Sequence, residues 1–188
     1  MEKLTEMLKK YNPYDEQEEK DKTFMLDFID KNEDVLTRNN RVAHFTASNW
    51  ILNKEHTKAI MIYHNLYRSW AWTGGHADGD ADLLHVARKE AEEESGLKDL
   101  KSLHDGLFSL EVLTVDGHVK HGEYVSAHLH LNCTFLFEAD EEMEIRIKED
   151  ENSGVEWIDL EKAPEITSEP KMVPIYKKLN EKLKLLQN

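Results

Sequence analysis

Hydrophobic positions recur along this chain with two different periods. Leu4, Met7, Leu8 and Tyr11 fall at i, i+3, i+4 and i+7, the spacing of one helix face, and Asn12-Pro13 breaks the pattern. Asp15, with Glu18 three positions on, has the form of a capping box opening a second helix, whose apolar side is Met25, Phe28 and Ile29. Residues 2 to about 36 are therefore expected to be helical, highly charged and a cover on the domain that follows. A dimerisation arm, and with it a homodimer, is the competing expectation. The boundary is drawn between a helical extension, residues 1–38, and a domain of residues 39–188.

From His44 the pattern changes to strands. Residues 43–52 are rich in β-formers, residues 59–64 make a short buried-type strand, and residues 68–73, with Trp70 and Trp72 alternating, lead into a Gly74-Gly75 loop. A helix is expected to start near Asp80 or Asp82, either of which suits an N-cap, to bury Leu84, Ala87 and Ala91, and to stop at Gly96. Residues 103–119 and 127–138 read as strands joined by a flexible polar connection, residues 116–123. Residues 138–151 read as an acidic loop or short helix, and residues 153–160 as a last strand. Pro164 and Pro170 bracket a loop, after which Tyr176, Leu179, Leu183 and Leu186 give an amphipathic C-terminal helix. Strands and helices in this order predict an α/β domain.

The chemistry concentrates on the central helix. Glu90, Glu93 and Glu94 project within about a 100° arc, since positions i, i+3 and i+4 are helix neighbours. Like charges so placed, near a helix C-terminus, cost a few tenths of a kcal/mol per pair, roughly, so local stability does not account for them. A hard divalent cation does: Mg²⁺ or Mn²⁺ takes clustered carboxylate oxygens and keeps positions for water and phosphate. A solvated acidic face is the bland alternative.

The segment from Gly75 to Leu97 resembles the Nudix box, in which a glycine is followed after five residues by Glu and after seven more by R-E-U-x-E-E-x-G-U, U being a bulky aliphatic residue. Gly75, Glu90, Glu93, Glu94, Gly96 and Leu97 fall in register. Ala81, Lys89 and Ala91 depart, standing where the family has Glu, Arg and a larger aliphatic residue. The resemblance to the Nudix (MutT-like) hydrolases covers roughly residues 40–165 and implies a mixed β-sheet sandwiched between α-helices (α/β/α). It also implies hydrolysis of the diphosphate linkage of a nucleoside diphosphate derivative, a small-molecule substrate. Its metal, Mg²⁺ or Mn²⁺, would be held by Glu90, Glu93, Glu94 and the Gly75 carbonyl, with Glu90 as ligand or as base. In the family the positions of Ala81 and Lys89 typically brace the loop by charge pairing, so their change implies loss of that clamp. A further carboxylate is expected from Glu149, Asp150 or Glu151, and substrate contacts from Trp72, His118, Lys120, His121 and Glu151. A non-catalytic nucleotide-binding sensor of the same fold is the rival function.

Bulk properties narrow the setting. At 188 residues with 39% hydrophobic content the chain can bury a core. A formal charge of −14 argues against general nucleic-acid binding and attraction to anionic membranes. The single Cys133 excludes an internal disulfide, suits a cytoplasmic protein, and lies in an apolar strand as inert core. That isolated cysteine does not resemble the catalytic one of isopentenyl diphosphate isomerase, which shares the fold. No run approaches 18 apolar residues, so no membrane span is expected. His128 and His130 point the same way on a strand, but as a pair they lack the ligands of a zinc site, so packing or orienting hydrogen bonds is expected of them.

Overall fold

The computed structural model describes residues 1–120 and 122–186. In chain order its elements are helices α1 (Glu2–Lys10) and α2 (Glu16–Lys31), strands β1 (Ala43–Leu52), β2 (Lys58–His64), β3 (Ser69–Ala71) and β4 (Thr73–His76), helix α3 (Leu83–Ser95), and strands β5 (Lys101–Ser102), β6 (Ser109–Val115), β7 (His118–Lys120), β8 (Glu123–Val125), β9 (His128–Glu138) and β10 (Asn152–Asp159). Helices α4 (Ala163–Ile166) and α5 (Val173–Leu186) follow. The chain forms two compact units, one of residues 1–47, 75–87 and 106–135, the other of residues 48–74, 88–105 and 136–188.

In the first unit α1 and α2 form as the sequence predicts, with Leu4, Leu8 and Met25 fully buried. Asp15 caps α2, its Oδ1 accepting the Glu18 N–H at 2.9 Å. Glu18 does not complete the expected box. Its Oε2 instead accepts the Tyr14 N–H at 2.7 Å and the Tyr11 hydroxyl at 2.5 Å, because the side chain turns inward and is fully buried. Beneath it lies a polar layer: the Ser109 hydroxyl bonds Glu18 Oε1 and Glu111, and Asn132 and Thr134 donate to Glu111 Oε2 at 3.1 and 3.2 Å. Strand β6 pairs antiparallel with β9 from Ser109↔Thr134 to Val115↔His128. Beyond β6, β7 and β8 pair antiparallel, with His118↔Val125 and Lys120↔Glu123 opposed. Period-two alternation over only three residues per strand is too short to be read from sequence.

In the second unit β3, β10 and the end of β1 pair with β2, and β5 pairs with the end of β9. β10 runs antiparallel to β2 from Asn152↔His64 to Asp159↔Lys58. Trp50, fully buried, stacks on Tyr176 of α5 at 5.4 Å between ring centroids, which fixes the C-terminal helix with Leu179 and Leu183 beneath it. Leu186 departs from the predicted stripe and is half exposed, while the buried stems of Lys178 and Lys182 widen the face instead. Residues 139–151 contain turns and no helix, and α4 forms where a loop was expected, with Pro164 in its first turn, where a missing N–H costs nothing.

Two expectations about the centre of the chain are corrected. Gly74 and Gly75 belong to strand β4, not to a loop; the turn comes after it, where Asp78 and Gly79 take positive φ. Leu84 is only half buried. The apolar stripe of α3 runs through Leu83, Val86, Ala87 and Ala91, one position out of the predicted phase.

Candidate active site

Asp82 caps α3: its Oδ1 accepts the His85 N–H at 3.3 Å, and its own N–H is held by Asp80 Oδ1 at 2.8 Å. At the other end Gly96 takes φ +78 and donates its N–H to the Glu92 carbonyl, ending the helix as the sequence predicts. The capped helix presents its carboxylates in graded environments. Glu94 is 2% exposed, and the Glu90 and Glu93 side chains are 13% and 41% exposed. The buried stripe and the acidic face thus overlap at Glu94, rather than lying side by side.

Glu94 is fixed twice. Its Oε2 accepts the Gly74 N–H at 2.8 Å, and its backbone carbonyl accepts Asn152 Nδ2 at 2.9 Å. Burial pushes its pKa well above the ordinary carboxylate value, against the Gly74 hydrogen bond, and Glu90 and Glu151 add repulsion. Glu90 is likewise raised by burial, with Lys89 and Lys148 opposing. Glu90 and Glu94 are thus carboxylates held largely away from water on one helix.

In the second unit a side chain that sequence reasoning missed acts on both. Lys148 Nζ lies 3.1 Å from Glu93 Oε2 and 3.2 Å from Glu151 Oε1, and Glu90 also acts on its charge. Its pKa is raised even though burial opposes this, because those carboxylates hold the proton. Among Glu149, Asp150 and Glu151, it is Glu151 that shares Lys148 with the helix carboxylates. Lys148 and Arg146 are the only basic residues in the acidic run 138–151, a signal present in the sequence. Lys89, where the family has Arg, lies 3.8 Å from Glu90 and 3.6 Å from Glu93.

The expected loss of a clamp on the loop before α3 has a counterpart in the first unit. Arg38 makes a two-pronged contact with Asp78, 2.9 Å from Nε and 2.7 Å from Nη2; Lys3 reaches Asp82 at 2.5 Å; and the Gly79 N–H donates to the Leu36 carbonyl at 2.9 Å. Residues of the N-terminal segment brace the loop in which Ala81 stands.

The other candidates separate. Trp72 is half buried, edge-on to Tyr176 at 5.7 Å, with its backbone N–H on the Tyr176 hydroxyl. His118 sits on the β7–β8 hairpin, its Nδ1 3.0 Å from the Asp116 carbonyl, and Lys120 occupies the same strand. His121 lies outside the described residues. Cys133 is fully buried and its thiol is pushed up by burial, in keeping with inert core. Among the described residues no helix is long and apolar enough to cross a membrane.

Strand β4 thus delivers the Gly74 amide to Glu94 of the following helix, with Glu93 next to it and Glu90 one turn earlier. The NUDIX domain model matches residues 42–182, and the chain belongs to the Nudix family, among its pyrophosphohydrolases. The RNA pyrophosphohydrolase of Pelagibacter ubique (strain HTCC1062) is 29% identical over 142 residues, covering 73% of this chain and 89% of that protein. Among solved structures, a C. elegans Ap4A hydrolase binary complex aligns with TM-score 0.55 at 18% identity, over 74% of this chain and 98% of that one. A NUDIX-family hydrolase from Clostridium perfringens aligns with TM-score 0.54 at 21% identity, over 76% and 97%. At these identities the structural likeness is one of fold, and it bears out the α/β Nudix architecture with helices ahead of the domain.

Proposed function

We propose that this chain is a divalent-metal-dependent pyrophosphohydrolase that cleaves the diphosphate linkage of a nucleoside diphosphate derivative. The observation that carries the reading is the Lys148 ammonium lodged against Glu93 and Glu151, beside Glu90: the site already selects a cation, and its oxygens are the hard donors that suit Mg²⁺ or Mn²⁺. Glu90, Glu93 and Glu94, with the Gly75 carbonyl, are the proposed ligands. When bound, the ion supplies neutralisation of the pyrophosphate and an activated water. The Gly74 N–H keeps Glu94 in one orientation, Glu90 serves as ligand or base, and Lys148, once released from Glu93, is free to meet a substrate phosphate. Trp72, His118, Lys120, His121 and Glu151 remain proposed substrate contacts. Residues 1–38 are proposed as a helical extension to a domain of residues 39–188, in a cytoplasmic protein.

The test is a panel of nucleotide sugars, ADP-ribose, dinucleoside polyphosphates, nucleoside triphosphates and 5′-pyrophosphorylated RNA, run with Mg²⁺ and with Mn²⁺ while following phosphate and pyrophosphate release. RNA is included because of the name of the Pelagibacter ubique relative, although the charge of −14 disfavours a polyanion. Turnover that falls by at least ~10² in Glu93→Gln supports the hydrolase, since an electrostatic group at the reacting centre acts on that scale. Full activity in that variant overturns the metal site. A second reading, the non-catalytic sensor, is favoured by Lys89 and Lys148 together offsetting the acidic face; binding of a panel member without turnover would establish it.

A further inference from the structure

Within the first unit four imidazoles converge. His44 of β1, His76 of β4 and His130 of β9 bring one ring nitrogen each to within 4.8 Å of one another. The His44 ring centroid lies 5.1 Å from those of His76 and His130 and 5.0 Å from that of His128, which is itself 5.1 Å from His130. We propose that His44, His76 and His130 form a Zn²⁺ site that His128, whose ring nitrogens lie outside that group of three, completes as a fourth imidazole by turning toward it, with none of the carboxylates of the acidic cluster taking part.

The tautomers favour it. His44 Nδ1 lies 3.1 Å from the Asn40 carbonyl and His128 Nδ1 lies 2.8 Å from the Ser126 carbonyl. A carbonyl only accepts, so each Nδ1 carries the proton and each Nε2 presents a lone pair. This is the outer-shell arrangement that orients a metal-binding histidine. His44 is 4% exposed, and its Nε2 is buried with no hydrogen-bond partner among the described residues, so its lone pair is unused.

One distance already matches the ion. Tetrahedral zinc with bonds of about 2.0–2.1 Å separates its ligand atoms by about 3.3–3.4 Å, and His128 Nε2 lies 3.2 Å from His130 Nε2. The His44–His76–His130 separations, at up to 4.8 Å, would have to narrow as the ion binds. Imidazole donors suit zinc, whereas Mg²⁺ prefers oxygen, and four protein ligands make a closed, structural site. The site would tie together the strand before the α3 loop and strands β1 and β9. The competing account is metal-free, with His130 Nε2–H donating to His128.

The experiment uses the full chain without a polyhistidine tag, stripped with chelator and titrated with Zn²⁺ and with Co²⁺. One equivalent should bind, Co²⁺ should give the intense visible bands of four-coordination, and X-ray absorption at the zinc edge should give a nitrogen-only first shell at about 2.0–2.1 Å. His44→Ala and His76→Ala should each weaken Zn²⁺ binding more than about a hundredfold, beyond what outer-shell changes do. Glu93→Gln should bind Zn²⁺ as the wild type does, which separates this site from the hydrolytic one. Should a histidine variant not fold, the wild-type absorption spectrum decides alone. No stoichiometric binding, an oxygen-rich six-coordinate shell, or unchanged affinity in a folded His44→Ala protein would overturn the proposal.

Discussion

Lys148 Nζ stands 3.1 Å from Glu93 Oε2, an ion pair linking the loop after β9 to the acidic helix. A lysine in this place offsets the carboxylates of the metal-free protein, and on the proposed function it would also compete with an arriving cation.

Replacing it separates those effects. Lys148→Met should lower the Tm of the metal-free protein by roughly 2–4 °C, the shift expected for about 1 kcal/mol from partly exposed pairs in a chain of this size. The same variant should show a larger Tm increment on adding Mg²⁺ than the wild type does. Scanning calorimetry with chelator and with Mg²⁺ tests both; an equal or smaller increment would mean that Lys148 does not occupy a cation's place.

Glu94 gives a pH dependence of defined sign. Its folded pKa is raised above the ordinary carboxylate value, so the folded state holds the proton more tightly than the unfolded chain. The contribution is fully present below the unfolded value, near 4.5, and is lost as pH rises through the folded one. In chelator, Glu94→Gln should therefore gain stability relative to wild type on going from acid to neutral pH. Urea midpoints measured across that range would show the two proteins converging at the acid end, and parallel curves would contradict the prediction.

Arg38→Ala removes both prongs from Asp78. Exposed pairs contribute about 1 kcal/mol or less, so global stability should barely change. Local opening should change more. Amide hydrogen exchange across residues 78–82, including the Gly79 N–H that bonds Leu36, should quicken, with residues of β9 unaffected.

At Gly96 an added Cβ would meet the Arg146 backbone nitrogen at 3.1 Å, at φ +78. Gly96→Ala should destabilise by about 1–2 kcal/mol from the left-handed conformation alone, more if Arg146 cannot give way. Denaturant unfolding measures it, and an unchanged midpoint would show that the helix end relaxes freely.

What the sequence made legible follows from the range of the physics involved. The α1 face, the Asp15 cap, strand β1 and the Gly96 stop depend on residues a few positions apart, and all appear in the structure. The box carboxylates were legible because their spacing is helical. Lys148 was not, since it meets Glu93 across 55 residues of chain. His44 and His76 were passed over for the same reason: His128 and His130 advertise themselves as a pair on one strand, while the other two rings arrive from distant strands. The inward turn of Glu18 was hidden as well, because besides its local partners Tyr11 and Tyr14 it meets Ser109, 91 residues away.

That inward turn bears on where a shortened version of this protein can begin. The family match starts at residue 42, yet Glu18 and Tyr11 close the polar layer that contains Ser109 and Glu111 in the sheet. A chain cut at the family boundary would uncover buried carboxylate chemistry along β6, and would also release Asp78 and Asp82 from Arg38 and Lys3. The region that homology recognises is therefore smaller than the network of contacts it takes part in, and the helices in front supply partners to residues that the match contains.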